Sequence, residues 1–552
     1  MNKARKAPVL LAALALLISA CTAGGPAQST LPPGASPTEP GTAVQTVPLL
    51  RIGTTSDESS WNPYTYVSGY PGWTLLLIQF DTLMALDLNN EPQPWLAKSV
   101  EASADSKVWT LTLETDVKWH DGRPFTAEDV KFTIEYFQKN IHGRFSTPLR
   151  DVTSVEIRGN DTVVITVSAS KPGWRYQFLS DVPMIPKHVW ENEAEPKKAT
   201  DLKYNTGTGP YRLVEHRAGQ FYRFQSNPDY FKGTPLVDEI VMPIITEVTS
   251  AFASLKIGEL DTYVRSLQPE LVSDFATTPG IKVARGPEFA SSGMWLNVEK
   301  PGLDRKEVRQ AISLAIDRKK LVATVFLGLA TVGNIGFIHP ANPWFNPNVK
   351  TEFDVARANA LLDGIGATRG ADGIRSLGGT RFAWEIVVSQ TAGPLRVREA
   401  ELIGQMLKEV GIEINVRVLE SSAWVAAAWP NFDVRQGRTS DIAMSGWSAP
   451  TQFEAGRLTE QVHSDPLRGG INVYGFKNAE GDALAERLAS EGDPARRMQL
   501  AHEMQAFFAE HAFNITTLYP DGLYAYHEAK FDGWKFQTGL GIFQKNSLIA
   551  QR

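Results

Sequence analysis

The pattern of apolar and polar positions is clearest between residues 108 and 137, where it changes from a period of two to a helical period. Apolar residues of Trp-Thr-Leu-Thr-Leu (109–113) alternate with threonines, which predicts a half-buried strand. His-Asp-Gly at 120–122 then has turn chemistry, because Asp bonds its own backbone and Gly accepts a positive φ. The apolar residues that follow at helical spacing are Val130, Ile134 and Phe137. This stretch therefore predicts a strand, a tight turn and a helix.

Polar residues mark where helices begin. Thr126 is a good N-cap, and Asp129 is the carboxylate of a capping-box pair. Asp304 and Glu307 have the same spacing and predict another helix start, and Asp317 predicts a restart farther along. We interpret the charged residues of these later helices as a solvated face.

A strand, a helix and a second strand are predicted within residues 384–419. Gly411 is placed as the C′ residue of the helix, and the apolar residues after it alternate without a break. Such a β-α-β unit implies a parallel pair, and ligands of parallel sheets gather at the carboxyl ends of the strands. The loops 389–396 and 441–450 leave strand ends and are our candidates for a cleft.

Several runs carry a family resemblance. WTLTLETDVKWHDGRPFTAEDVKFT (109–133) closely resembles the signature of the family 5 extracytoplasmic solute-binding proteins, the oligopeptide, dipeptide and nickel-binding components of ABC importers. GTGPY (207–211), NPDYF (227–231) and VRQAISLAIDR (308–318) are similar to further motifs of that family. The two glycines before Pro210 suit a crossing between lobes where the backbone bends sharply.

The resemblance implies an α/β fold, namely a two-lobed periplasmic-binding-protein-like clamp (type II, cluster C) with an extra inserted subdomain in the first lobe. A chain of 552 residues is too long for a single core, which agrees with several lobes. The implied division is lobe I at 49–85, 201–285 and 520–552, the inserted subdomain with a structural role at 86–200, and lobe II at 286–519.

The first residues have the anatomy of a targeting segment. A positive start precedes an apolar run too short to span a bilayer, so residues 1–20 are predicted as a signal peptide. The run ends in LISAC, which looks like the lipobox of bacterial lipoproteins, with Cys21 as the lipidated residue; the alternative is an ordinary secretory signal with a chance cysteine. Residues 21–48 are rich in Pro, Gly, Ser and Thr and are predicted to be a disordered tether.

Composition and motifs narrow the function class. The net charge of -6 is mild and no Lys/Arg-rich run suggests nucleic acid, so we expect no nucleic-acid partner. The sequence has no GxSxG, HExxH or P-loop, and its nine histidines show no i, i+4 pair, so we expect no enzyme activity, metal or cofactor. A secreted glycoside hydrolase stays a remote alternative because carboxylate pairs are plentiful. A structural surface protein should show repeats, and the sequence shows none.

The function that the resemblance implies is capture of a small solute for a membrane permease. We expect an extracytoplasmic monomer that touches the membrane only through its N-terminal lipid. An oligopeptide is the first choice of solute because most of the family is of that type. An oligosaccharide, which some members bind, is the alternative.

Candidate ligand residues come from the loops after the strands and from aromatic positions. In peptide-binding members the segment after Gly-Trp carries an aspartate that pairs with the peptide's α-ammonium. Here Gly446-Trp447 is followed by SAPTQFE, whose only carboxylate is Glu454, so that anchor is in doubt. The predicted ligand-binding residues are Trp447, Ser448, Thr451, Glu454, Gln390, Thr391, Arg396, Trp424 and Trp61.

Two kinds of side chain in this set favour different solutes. Rings with neutral polar neighbours suit an uncharged oligosaccharide, although each Trp taken singly is more typical of a core. Guanidinium groups instead match a peptide carboxylate in a bidentate fashion. The arginines in question are Arg396, Arg398, Arg435 and Arg438.

Overall fold

Strands and helices alternate along the computed structural model, which describes residues 46–66 and 72–551. The strands are β1 (Val47–Gly53), β2 (Met84–Leu86), β3 (Pro92–Pro94), β4 (Ala97–Ala102), β5 (Val108–Leu113), β6 (Val152–Arg158), β7 (Thr162–Val167), β8 (Tyr211–Arg217), β9 (Phe221–Ser226), β10 (Gly233–Pro235), β11 (Val237–Pro243), β12 (Thr262–Tyr263), β13 (Ile281–Pro287), β14 (Ser292–Leu296), β15 (Ala330–Val332), β16 (Thr368–Arg369), β17 (Arg375–Leu377), β18 (Thr380–Arg381), β19 (Ala383–Ser389), β20 (Glu413–Leu419), β21 (Ile442–Ser445), β22 (Asn514–His527) and β23 (Ile549–Gln551). The helices are α1 (Gly72–Leu76), α2 (Ala127–Lys139), α3 (Lys187–Trp190), α4 (Val248–Lys256), α5 (Val272–Thr277), α6 (Lys306–Ala315), α7 (Arg318–Val325), α8 (Val355–Gly364), α9 (Pro394–Glu409), α10 (Ser421–Ala428), α11 (Thr459–Val462), α12 (Ala479–Ser490) and α13 (Pro494–His511). The predicted signal peptide, Cys21 and nearly all of the predicted tether lie outside the described residues.

One long strand, β22, joins two groups of strands. The main order is β20-β19-β21-β14-β22-β12-β1-β11-β9-β8, with β13 and β15 also pairing with β22. The start of β22 pairs with β14, and its second half pairs with β13 and β12. We call the part built on β8, β9, β11, β1 and β12 the first lobe, and the part built on β14, β21, β19 and β20 the second lobe.

The sheet of the second lobe is buried on both faces. In β19, Ile386 and Val388 belong to one apolar core, and Val387 between them belongs to another. This alternation follows from the two-residue period of a strand, and cover on both faces is typical of parallel α/β sheets. The second lobe therefore has two cores on either side of one sheet, as an α/β fold requires.

The predicted β-α-β unit is confirmed at β19, α9 and β20. The two strands pair in parallel over seven residues on each, and β21 also lies parallel to β19. Gly411 ends the helix with a φ of 82°, and Ile412 donates its backbone N–H to the carbonyl of Leu407 at 3.0 Å. These bonds form the predicted C-terminal cap, because only glycine adopts this positive φ without strain.

The strand, turn and helix predicted around residues 108–137 are present. The four-stranded antiparallel sheet has the order β4-β5-β7-β6, and Trp109 on β5 is buried. Gly122 in the turn has a φ of 88°, and the carboxylate of Asp129 accepts the backbone N–H of Thr126 at 2.9 Å. We keep the name insert for residues 86–200, and the boundaries of the lobes stay a prediction.

Two expectations about the helices after residue 300 are wrong. Helix α6 begins at Lys306 without a side-chain cap, because the carboxylate of Asp304 accepts the N–H of Gly302 instead. Arg309 and Arg318 are buried and not part of a solvated face. Arg318 donates to backbone carbonyls of Ser313 and of Thr516 on β22, and burial lowers its pKa to about 10.

The glycines of GTGPY are needed for close packing rather than for a bend. A Cβ at Gly207 would lie 1.9 Å from the carbonyl oxygen of Gln79, and one at Gly209 would lie 2.4 Å from that of Ile78. Neither glycine has a positive φ. A side chain at either position would therefore push two backbone segments of the first lobe apart.

Among the described residues, every helix is too short or too polar to cross a bilayer.

Candidate functional site

A narrow crevice lies between the second lobe on one side and helix α1 with the insert on the other. Its walls include Trp73 and Asp181 on one side and Pro450, Phe453 and Arg457 on the other. The cavity volume is about 20 Å³, which is enough for a single water molecule. A solute can enter this space only when the two sides separate.

Short irregular turns present the side chains of the crevice. A π-helical turn, Arg175–Leu179, carries Gln177 on the insert side. Two 3-10 turns, Ala449–Gln452 and Ala455–Leu458, carry the facing residues shortly after the exit of β21. Single π-turns occur frequently at functional sites, because the extra residue in the turn redirects the side chains.

Glu454 is buried and hydrogen-bonded from three directions. The guanidinium of Arg497 donates to its Oε1, with a distance from Nε of 3.1 Å. Gln177 of the insert donates to its Oε2 at 2.9 Å, and so does the backbone N–H of Gly456. Glu454 is 2% exposed, so its charge is taken up by Arg497 inside the protein.

The other charges of the crevice are paired as well. Asp181 accepts two hydrogen bonds from Arg144, at 2.9 Å from Nε and 2.6 Å from Nη2. Burial alone would lower the pKa of Arg144, but the charge and hydrogen bonds of Asp181 raise it above its ordinary value. Arg457 donates to both carboxylate oxygens of Glu460, at 3.0 and 3.1 Å, and the charge of Glu460 raises the pKa of Arg457.

The indole of Trp73 is one of the uncharged polar groups of this crevice, which also include the side chains of Gln177 and Ser180. The side chain is 3% exposed, and its Nε1 has no hydrogen-bond partner among the described residues. The guanidinium of Arg144 lies over the ring, 4.1 Å from its centroid. A buried N–H without an acceptor costs free energy. A solute that supplies an acceptor to this indole therefore gains a hydrogen bond.

Further hydrogen bonds connect the second lobe to the rest of the chain. Arg150 and Ser170 of the insert donate to the carbonyls of Leu467 and Ser490, at 2.9 and 3.2 Å. In the first lobe, Glu270 accepts from Arg398 on α9 at 2.7 Å. These exposed contacts join the second lobe to the insert and to the first lobe.

Two of the predicted ligand residues, Trp424 and Trp447, lie in a cluster of four tryptophans in the second lobe. Trp447 stacks on Trp295 with ring centroids 4.7 Å apart, and Trp424 and Trp429 contact Trp295 from other sides. Trp447 donates its N–H to the hydroxyl of Tyr474 at 2.8 Å. The N–H groups of Trp295 and Trp429 have no partner among the described residues.

The structure places Ser448 and Thr451 beside the cluster and near the crevice. The Thr451 hydroxyl donates to the Ser448 carbonyl at 2.7 Å. Gln390 and Thr391 are exposed at the carboxyl end of β19, as the parallel sheet predicts. Trp61 is fully buried in the first-lobe core and donates to the carbonyl of Gly72, so the structure does not bring it to the crevice.

Of the four predicted arginines, two are paired with carboxylates and two have a guanidinium nitrogen without a partner among the described residues. Arg398 pairs with Glu270, and Arg435 forms a bidentate pair with Asp433, with distances of 2.7 Å from Nε and Nη2. Burial lowers the pKa values of Arg396 and Arg438, and each has an Nη1 without a partner among the described residues. Arg396 lies in the first turn of α9, beyond the end of β19.

Sequence reasoning missed the contribution of the insert. Gln177 and Asp181 were not candidates, because the insert was assigned a structural role. Trp73 lies on helix α1 before the insert, and the strand-end rule selects loops of the second lobe alone. No spacing in the sequence joins residues 144, 181 and 457, which meet only through packing. Among the described residues, no group of three or more His, Cys, Asp or Glu side chains comes together to hold a metal ion.

Comparison with known proteins agrees with this architecture. The family model "Bacterial extracellular solute-binding proteins, family 5 Middle" matches residues 91–465. The oligopeptide-binding protein AppA of Bacillus subtilis is 26% identical over 470 residues, 81% of this chain and 82% of AppA. An ABC transporter peptide-binding protein of Brucella ovis is 28% identical over 497 residues, 88% of each chain.

Solved structures show the same fold. AppA of B. subtilis in complex with a nonapeptide superposes with a TM-score of 0.75 at 22% identity, covering 92% of this chain and 100% of AppA. NikZ of Campylobacter jejuni in complex with Ni(L-His) gives a TM-score of 0.75 at 23% identity, covering 92% and 99%. Because the family model matches well over half of the sequence, the chain belongs to the bacterial extracellular solute-binding proteins of family 5, which are extracytoplasmic transport components and not enzymes.

Proposed function

We propose that the chain is the substrate-binding component of an ABC importer, that it captures an oligopeptide between its two lobes, and that it delivers this solute to a membrane permease. Support for the peptide comes from the relatives, since AppA and the Brucella ovis protein carry peptide-binding names. Support for capture between lobes comes from the crevice. The protein works as a monomer in this proposal, with lobe boundaries near residues 85, 200, 285 and 519.

The observation that carries the proposal is the small size of the crevice. With room for one water molecule, it can release or accept a solute only by opening. β22 and the crossing from β13 to β14 connect the lobes, so opening requires changes in few backbone angles. Capture and closure then form one equilibrium, which the solute shifts toward the closed form.

Arg396 supports the choice of a peptide. Its unpartnered Nη1 lies in the first turn of α9, where backbone N–H groups and the helix dipole also favour an anion. A peptide carboxylate matches this set of donors. In the proposal, Gln390 and Thr391 border the same end of the cleft, and Trp424, Trp447, Ser448 and Thr451 line its middle.

An oligosaccharide is the second candidate, and the four-tryptophan cluster favours it. Tryptophan rings pack against sugar rings, and the two unpartnered N–H groups of Trp295 and Trp429 can donate to hydroxyl oxygens. Titration calorimetry with a dipeptide-to-pentapeptide pool and with a β-linked oligosaccharide series separates the two. If only the sugar series binds, an oligosaccharide and not a peptide is the solute of this protein.

A solute is expected to reduce the radius of gyration of the protein. The lobes separate without solute and close around it, because the solute stabilises the closed form by mass action. Small-angle X-ray scattering of the purified protein, with and without a saturating peptide pool that binds in calorimetry, measures this change. An unchanged radius with bound peptide would contradict capture by closure.

Cys21 is proposed to carry the lipid that holds the protein at the membrane. Without the lipid no other anchor is expected, so Cys21→Ala should be released into the soluble fraction or remain an unprocessed precursor. Detergent phase partitioning measures the distribution, with Ser19→Ala as a matched control that leaves the cysteine in place. Wild-type protein found in the aqueous phase would refute lipidation.

A further inference from the structure

The charged residues that line the crevice are balanced by ion pairs. Each of three carboxylates is hydrogen-bonded to its own guanidinium group. The pairs are Asp181–Arg144, Glu454–Arg497 and Glu460–Arg457. Among the described residues, no carboxylate that lines the crevice is left without a cationic partner.

This balance is unfavourable for a solute that brings its own positive charge. Both oxygens of Asp181 are already engaged by Arg144, and the residue is 6% exposed. Glu454 is turned toward Arg497 and Gln177. An α-ammonium group would lose its hydration here without gaining a free anion, and burial of an unpaired charge costs far more than burial of an amide.

The crevice offers instead a neutral donor. The N–H of Trp73 is buried and unpartnered among the described residues, and the ring is held in place by Arg144. A carbonyl oxygen satisfies such a donor, and Phe453 gives the same crevice an apolar wall. An acyl group at the end of a peptide combines a carbonyl with an apolar carbon in this way.

Resting on the proposed function, we infer that the peptide end bound in this crevice is uncharged, as in an N-acylated peptide, and that its acyl carbonyl accepts the N–H of Trp73. The ligand class is therefore N-blocked oligopeptides rather than peptides with a free α-ammonium group. The specificity-determining residues are Trp73, which donates, and Arg144, which neutralises Asp181.

The test compares two synthetic tetrapeptide pools that lack lysine and differ only in acetylation of the N-terminus. Calorimetric titration of the intact purified protein is expected to give a dissociation constant about tenfold or more lower for the acetylated pool, because only that end group is uncharged. Equal or tighter binding of the free pool would overturn the inference and leave the proposed function intact. Binding of neither pool would overturn both.

Two variants test the assigned roles. Trp73→Phe keeps the ring and removes the N–H, so affinity for the acetylated pool should fall about two- to tenfold while that for the free pool stays unchanged. Arg144→Met leaves the carboxylate of Asp181 unpaired. The protein's preference between the two pools should therefore shift toward the pool with a free α-ammonium group. Arg357→Met removes an exposed pair with Glu352 on another part of the second lobe and is the matched control.

Circular dichroism and thermal melting establish first that each variant is folded. If Arg144→Met does not fold, the affinities of Trp73→Phe for the two pools still test the inference. An unchanged preference in Trp73→Phe would overturn the role of the indole, and an unchanged preference in a folded Arg144→Met would overturn that of charge balance.

Discussion

Arg497→Leu is expected to destabilise the protein by about 3–5 kcal/mol, because it leaves the carboxylate of Glu454 buried without its guanidinium partner. Both side chains are less than a tenth exposed, and Arg497 also donates to the carbonyls of Leu488 and Glu491. The double variant Glu454→Leu/Arg497→Leu should recover much of the loss, since neither charge is then buried. Urea denaturation followed by tryptophan fluorescence measures the free energy of unfolding.

The neighbouring Arg496 provides the control for this pair. It lies on the same helix and faces Glu503 at 3.9 Å with a side chain that is 42% exposed. Replacement by leucine should change the free energy of unfolding by about 0.5 kcal/mol or less, as for other exposed positions. Equal effects of the two single variants would show that Glu454 does not depend on Arg497.

This pair also bears on how a ligand is anchored. The sequence offers Glu454 as the nearest carboxylate after Gly446-Trp447, and counting along the chain cannot show which way a side chain turns. In the fold, Arg497 approaches from α13, more than forty residues later, and takes up the charge. The candidate for an ammonium anchor is thus a contact between the second lobe and the insert.

Single strands and helices could be predicted where apolar residues repeat at a regular spacing and a turn or capping residue marks the end of the element. β5 and α2, and the β19-α9-β20 unit, follow directly from the spacing of apolar residues and from turn glycines. Asp317 also caps α7 as expected, accepting the N–H of Lys320. These signals are local, so the sequence contains them in full.

The failure at Asp304 is local, whereas the failures at two buried arginines come from long-range contacts. Asp304 has the spacing of a cap, but it bonds the loop before it. Arg309 and Arg318 look like surface charges, but their guanidinium groups reach carbonyls of residues far away in the sequence, His511 and Thr516. Burial of a charged group depends on distant partners, and no single-sequence pattern gives those.

Asp81→Leu is expected to have a comparably large effect, a loss of about 3–5 kcal/mol, because Asp81 is a fully buried carboxylate with four partners. Lys545 near the chain's end donates to it, and burial lowers the pKa of that lysine. Trp95, Tyr230 and Thr208 donate to it as well, at 2.7, 3.0 and 2.8 Å. The substitution would leave the ammonium of Lys545 without its carboxylate and the hydroxyls of Tyr230 and Thr208 without this acceptor, while the indole N–H of Trp95 keeps the Tyr230 hydroxyl at 3.1 Å.

These partners give the Asp81 prediction a structural reason. Trp95 comes from the insert, Thr208 and Tyr230 from the first lobe, and Lys545 from the last segment, so one carboxylate joins three separate stretches of chain. Asp81→Leu/Lys545→Met removes both charges and should be more stable than Asp81→Leu alone. Asp229→Leu, at an exposed turn, is the control and should change the free energy of unfolding by about 0.5 kcal/mol or less. If Asp81→Leu unfolds at the same urea concentration as this control, the buried cluster does not hold the three segments together.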